Sequence, residues 1–126
     1  MKREDLLRKV KERKRELGLT IDELSSLTRL GNRTVVRFLS GADVRLSTLE
    51  RITEVMGLDF AGREVIDTQT LRKKRAETKA RQIVSLVQDT SALEQQGLDD
   101  RAIQRLIAQT SEQFLTGEYR KNLWAR

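Results

Sequence analysis

Apolar residues recur at three- and four-residue spacings through most of the chain, and the breaks in that rhythm divide it into helices. Leu6, Leu7, Val10 and Leu17 stand among Lys, Arg and Glu from Glu4 to Leu17, and Gly18 follows as a stop, so this stretch is predicted as a first helix. Thr20 precedes Ile21, Asp22 and Glu23 in the order of a capping box, which predicts a second helix from Ile21 to about Thr28. Gly31 offers a permissive backbone for a tight turn, and Asn32 to Leu39 then sets Val35, Phe38 and Leu39 at helical spacing before Ser40-Gly41. Ser47-Thr48-Leu49-Glu50 has the form of another capping box and opens a fourth helix with Leu49, Ile52, Val55 and Met56 inward and Gly57 beyond its end.

From Leu58 to Ile66 the helical period lapses, and Phe60, Gly62, Val65 and Ile66 suggest a short extended segment or hinge. The domain boundary is expected there, between units covering residues 1–62 and 67–126. A long helix is predicted from Thr68 to about Gln96, carrying Leu71, Ala76, Ala80, Ile83, Val84, Leu86, Val87 and Leu93, with Gly97 as its stop. Asp99 caps a last helix through Ile103, Leu106, Ile107, Phe114 and Leu115, ended by Gly117. The tail from Glu118 holds Tyr119, Leu123 and Trp124, and the pattern leaves open whether it docks.

Composition narrows what such a chain can do. Its 126 residues suffice for one domain with a helical arm, and the absence of proline agrees with an all-α fold. With no cysteine and no histidine, neither a disulfide framework nor a His-based metal site can be built. A net charge of +6 favours an anionic partner without choosing it. The start, Met1-Lys2-Arg3-Glu4-Asp5, lacks an apolar leader and no run is long enough to cross a bilayer, so a cytoplasmic location and no membrane partner are expected.

Two capped helices joined by a tight turn, the second rich in Arg, Asn and Thr, are what a DNA-reading helix-turn-helix requires. With Val35, Phe38 and Leu39 inward, Asn32, Arg33, Thr34, Val36 and Arg37 face outward. Arg33 and Arg37 have the chemistry to bond guanine O6 and N7 together, and Val36 can pack on a thymine methyl. Asn32 is as readily a helix cap as an adenine-binding residue. Arg45, in the loop before the fourth helix, suits a phosphate, which positions without reading.

These segments together, Gly18-Leu19-Thr20-Ile21-Asp22-Glu23-Leu24 with Asn32-Arg33-Thr34-Val35-Val36-Arg37-Phe38-Leu39-Ser40-Gly41 and Leu46-Ser47-Thr48-Leu49-Glu50-Arg51-Ile52, resemble the lambda-repressor/Cro-like, or XRE, family over residues 3 to 58. The resemblance implies a five-helix bundle followed here by a C-terminal helical hairpin, although Leu58 to Ile66 does not read as the fifth helix. It implies a mostly dimeric transcriptional regulator with Asn32, Arg33, Thr34, Val36 and Arg37 on the recognition helix and Thr20, Arg29 and Arg45 as phosphate candidates. The turn Thr28-Arg29-Leu30-Gly31 departs from the small residue, Gly, apolar residue and Ser usual in the family.

The leading expectation is therefore a repressor acting as a homodimer on double-stranded DNA with an inverted repeat. The alternative is an antitoxin that grips a toxin through residues 67–126 and represses the shared operon. Val84, Leu86 and Val87 spread around the long helix more widely than one short helix can cover, which suits a second copy or a foreign chain. The run Arg72-Lys73-Lys74-Arg75 with Lys79 and Arg81 suits a phosphate, an acidic partner or plain solvation. Asp99-Asp100 is explained by capping. No catalytic residue, metal ligand or cofactor is expected, since there is no nucleophile beside a base and no Gly-rich phosphate loop.

Overall fold

The structure, a computed structural model, describes residues 2–93 and 99–126, with side-chain surroundings for 2–87 and 99–126. It is all-helical: α1 (Arg3–Leu17), α2 (Ile21–Thr28), α3 (Asn32–Leu39), α4 (Leu46–Val55), α5 (Thr68–Leu93), α6 (Asp100–Leu115) and a 3₁₀ turn, η1 (Arg120–Asn122). The expected stop at Gly97, the reach of α5 to Gln96 and the packing of Leu93 lie outside the described residues. Contacts group Met1–Leu71 with Trp124–Arg126 as one unit and Arg72–Leu123 as another.

In the first unit α1 ends where Gly18 takes φ 69°, so that the Gly18 and Leu19 N–H groups reach back to the Arg15 and Lys14 carbonyls. Thr20 and Glu23 complete the expected box on α2: the Thr20 hydroxyl accepts from the Glu23 N–H at 3.1 Å and the Glu23 carboxylate from the Thr20 N–H at 3.0 Å. Leu24, Val10, Val35, Ile52 and Met56 are fully buried, and α2 lies against both α3 and α4.

The capping box expected at Ser47 is not formed. The chain turns two residues earlier, with Arg45 at the N-cap and its carbonyl accepting from the Thr48 and Leu49 N–H groups, so Ser47 lies inside the first turn. From Leu58 to Ile66 there is no fifth helix. Leu58 and Glu64 form an isolated antiparallel bridge, and the Asp59 carboxylate accepts from the Ala61 and Arg63 N–H groups at 2.8 and 2.9 Å. Buried Arg13 of α1 holds this loop, with an ion pair to Glu64 at 2.7 Å and a 3.4 Å hydrogen bond to the Ile66 carbonyl. The expected hinge is thus tied to the first helix, which is why the first unit runs on through Leu71.

The tail docks. Trp124 is buried in the first unit, where its indole N–H donates to the Leu17 carbonyl at 3.0 Å. That oxygen is one of the acceptors that a helix end leaves over. In the second unit Ala80 and Val84 of α5 pack with Ile107 of α6, flanked by Ile103 and Leu106. Asp99 caps α6 as expected, accepting from the Ala102 N–H at 2.7 Å. Helix α6 ends at Leu115 with Thr116 as its C-cap, two residues before Gly117. Leu86, Val87 and Ile83 remain 69%, 47% and 38% exposed.

The core assignment predicts that Ile52→Ala, which removes a fully buried side chain, lowers unfolding free energy by about 2–5 kcal/mol in urea titration. Leu46→Ala, at a side chain 75% exposed, shifts it by less than about 0.5 kcal/mol. A second prediction concerns acid. The Thr70 N–H and then the Thr70 hydroxyl hold Asp67 below its ordinary 3.8. A carboxylate depressed in the folded state stabilises above its unfolded pKa and loses that contribution as pH falls through the lower, folded one. Asp67→Asn should therefore flatten the decline of stability below about pH 4, read by circular dichroism across pH.

Candidate nucleic-acid interface

The residues singled out in the sequence sit on α2, α3 and the segments that join them. Only Arg29, Leu30 and Gly31 separate the two helices, because Thr28 still belongs to α2. Short polar side chains satisfy the backbone of this turn. The Thr28 hydroxyl donates to the Leu24 carbonyl at 2.7 Å and accepts from the Leu30 N–H at 3.3 Å, while the Ser25 hydroxyl donates to the Leu30 carbonyl.

The left-handed residue of the turn is Arg29, at φ 59°, and not Gly31, which is extended at φ −71° and has open space where a Cβ would stand. The sequence offered glycine for the special conformation, yet the α2 C-cap falls two residues earlier. Gly31 is instead the N-cap of α3, which makes Asn32 the first helical residue and removes the capping alternative for its side chain. The Asn32 amide donates to Asp22 at 2.6 Å, leaving its second N–H and its oxygen for another partner.

Along α3 the two faces separate as the spacing predicts. Val35 is fully buried and Phe38 nearly so, whereas Asn32, Arg33, Val36 and Arg37 are exposed and Thr34 half-buried. Leu39, expected inward, is only half-buried. Thr34, Arg37 and Arg45 line one open groove with buried Thr48, so the α3 face and the loop before α4 come together. Arg29 and Asn32 line a second groove with Asp22, Ser25 and Ser26. Thr20, exposed at the start of α2, uses its oxygen as an acceptor for Glu23 and keeps its O–H to donate.

Two carboxylates stand near these cations, and both are engaged. Asp43 pairs with Arg3 at 2.8 Å and Asp22 takes the Asn32 amide. The basic run of α5 is divided in its use. Arg75 donates to the Leu123 carbonyl at 3.0 Å, Lys79 lies 6.0 Å from the centre of the Phe114 ring, and Arg81 pairs with Glu77 at 2.6 Å. Desolvation lowers the pKa of Lys79, with neighbouring Arg75 adding to it. Of the run for which a phosphate, an acidic partner and plain solvation all stood open, Arg75, Lys79 and Arg81 thus have contacts within the chain.

Among the described residues no group of His, Cys, Asp or Glu is arranged to hold a metal ion, and no helix is long and apolar enough to cross a membrane. Sequence reasoning missed Arg126, which lines the groove of Arg29 and Asn32. The tryptophan two residues before it was the available signal. Compared with protein-family models, with curated proteins and with solved structures, the chain matches none.

Because Arg29 combines a left-handed backbone with a candidate cation, the two roles can be separated. Arg29→Gly should leave stability within about 1 kcal/mol, since glycine adopts positive φ freely, whereas Arg29→Val should cost more than that. Thermal unfolding of both variants checks this.

Proposed function

We propose that the protein is a sequence-specific double-stranded-DNA-binding regulator, a repressor of the lambda-repressor/Cro-like kind with a C-terminal helical module, acting as a dimer on an inverted repeat. The observation that carries the reading is the pair α2 and α3, joined by three residues. Val35 and Phe38 anchor the second helix, and Asn32, Arg33, Val36 and Arg37 stand in solvent on its other side.

The chemistry follows from the width of the major groove, about 12 Å, which admits one α-helix. With α3 seated there, Arg33 and Arg37 extend far enough to bond a guanine edge in a fork, and Val36, 47% exposed, offers a methyl surface to thymine. The free half of the Asn32 amide suits adenine. Arg45, sharing a groove with Arg37 and Thr34, meets the flanking phosphates, as do Arg29 from the groove of Asn32 and the Thr20 hydroxyl at the start of α2.

One recognition helix gives limited affinity, and the second unit supplies a reason for pairing. Ile83, Leu86 and Val87 lie exposed on α5, an apolar surface of the kind that a second copy covers. Two copies related by a twofold axis read half-sites about 34 Å apart.

Selection from a random duplex pool is expected to enrich an inverted repeat with that spacing. Arg37→Ala should erase the preference at one position in each half-site, a loss of about 1–3 kcal/mol of discrimination there. Enrichment of no motif, or an unchanged motif with Arg37→Ala, contradicts the reading. Enrichment of a single unrepeated site contradicts the dimer.

A further inference from the structure

Arg126 is far from the α2–α3 turn in sequence and beside it in space. Trp124 explains why: its ring is buried in the first unit, and its N–H is fixed on the Leu17 carbonyl at the end of α1. The residues that follow are carried with it, and Arg126 comes to line the groove of Arg29, Asn32, Asp22 and Ser26.

Two arginines and one aspartate line that groove, and an Asp22 oxygen accepts from the Asn32 amide. Among the described residues neither Arg29 nor Arg126 is within ion-pair distance of a carboxylate. Both are exposed, so neither is needed to fill the core. Both guanidinium groups therefore keep their donors for an anion from outside the chain. A guanidinium is suited to phosphate above other anions because its planar fork matches two phosphate oxygens.

We infer that Arg126 is a further DNA-binding residue, which grips the sugar-phosphate backbone alongside Arg29 at the edge of the face carried by α3. The inference rests on the DNA-binding reading and deepens it, since it makes Trp124–Arg126 a working part of the first unit. A phosphate contact positions the protein and does not read bases, so Arg126 contributes equally on all sequences.

The test measures the affinity of the full-length chain for a duplex of random sequence across salt concentration. Each phosphate contact contributes about 0.9 to the slope of log affinity against log salt. Arg126→Ala should reduce the slope by that amount, so that the advantage of the unsubstituted protein shrinks about three- to fourfold between about 50 and 200 mM salt. Arg126→Lys, which keeps the charge, should keep most of the slope. The side chain is exposed, and circular dichroism should show an unchanged fold. If the unsubstituted chain binds with a salt-dependent affinity and Arg126→Ala leaves the slope unchanged, this inference fails while DNA binding stands. If the unsubstituted chain binds duplex without salt dependence, or not at all, both fail.

Discussion

Val35 and Phe38 hold α3 to the first unit, and the orientation of every polar side chain on that helix depends on their burial. A helix of eight residues does not persist in water by itself, because nucleation is costly and so few backbone bonds follow it. Burying two such side chains contributes about 1.5–3 kcal/mol each, and α2 is an element that α3 packs against. The turn adds direction to this anchorage. Thr28 and Ser25 satisfy the Leu30 N–H and carbonyl, which fixes the path along which the chain leaves α2 and enters α3.

The helices were legible in the sequence wherever a strong period met a clear cap. The Thr20–Glu23 box, Gly18 as the stop of α1 and Asp99 ahead of α6 all stand where the spacing puts them. The miss at Ser47 has a physical reason: a capping box is a pattern of residue types, and Arg45 can act as N-cap through its extended backbone alone, with no side-chain hydrogen bond. The miss at Gly31 is similar. Glycine marks places where a left-handed residue is easy, but the C-cap of α2 is decided by where Thr28 stops the helix, and Arg29 adopts that conformation at a cost of about 1–2 kcal/mol that the surrounding hydrogen bonds offset.

What remained illegible is long-range. Arg13 reads as one more cation on a charged helix, and only the fold shows it buried, clamping Glu64 and the Ile66 carbonyl. Trp124 reads as a tail residue free to dock or not. No local pattern tells that its indole completes the end of a helix 107 residues away in the chain. The candidate site divides the same way. Its α3 face follows from the period of one short segment, whereas the meeting of Arg37 with Arg45 and of Arg29 with Arg126 follows from tertiary structure.

The placement of charge gives the first unit a direction that net charge alone does not. A chain of +6 could carry its excess anywhere, and much of the α5 run is occupied: Arg75 on a carbonyl, Lys79 against an aromatic ring, Arg81 with Glu77. Around α3 the order is reversed. There the carboxylates are the occupied groups, Asp43 by Arg3 and Asp22 by Asn32, and Arg29, Arg33, Arg37 and Arg45 stand in solvent. Exposed cations cost little in water, so the fold gains nothing by gathering them. Their concentration around a helix held by only two buried side chains is the charge distribution on which the proposed contact with a polyanion rests.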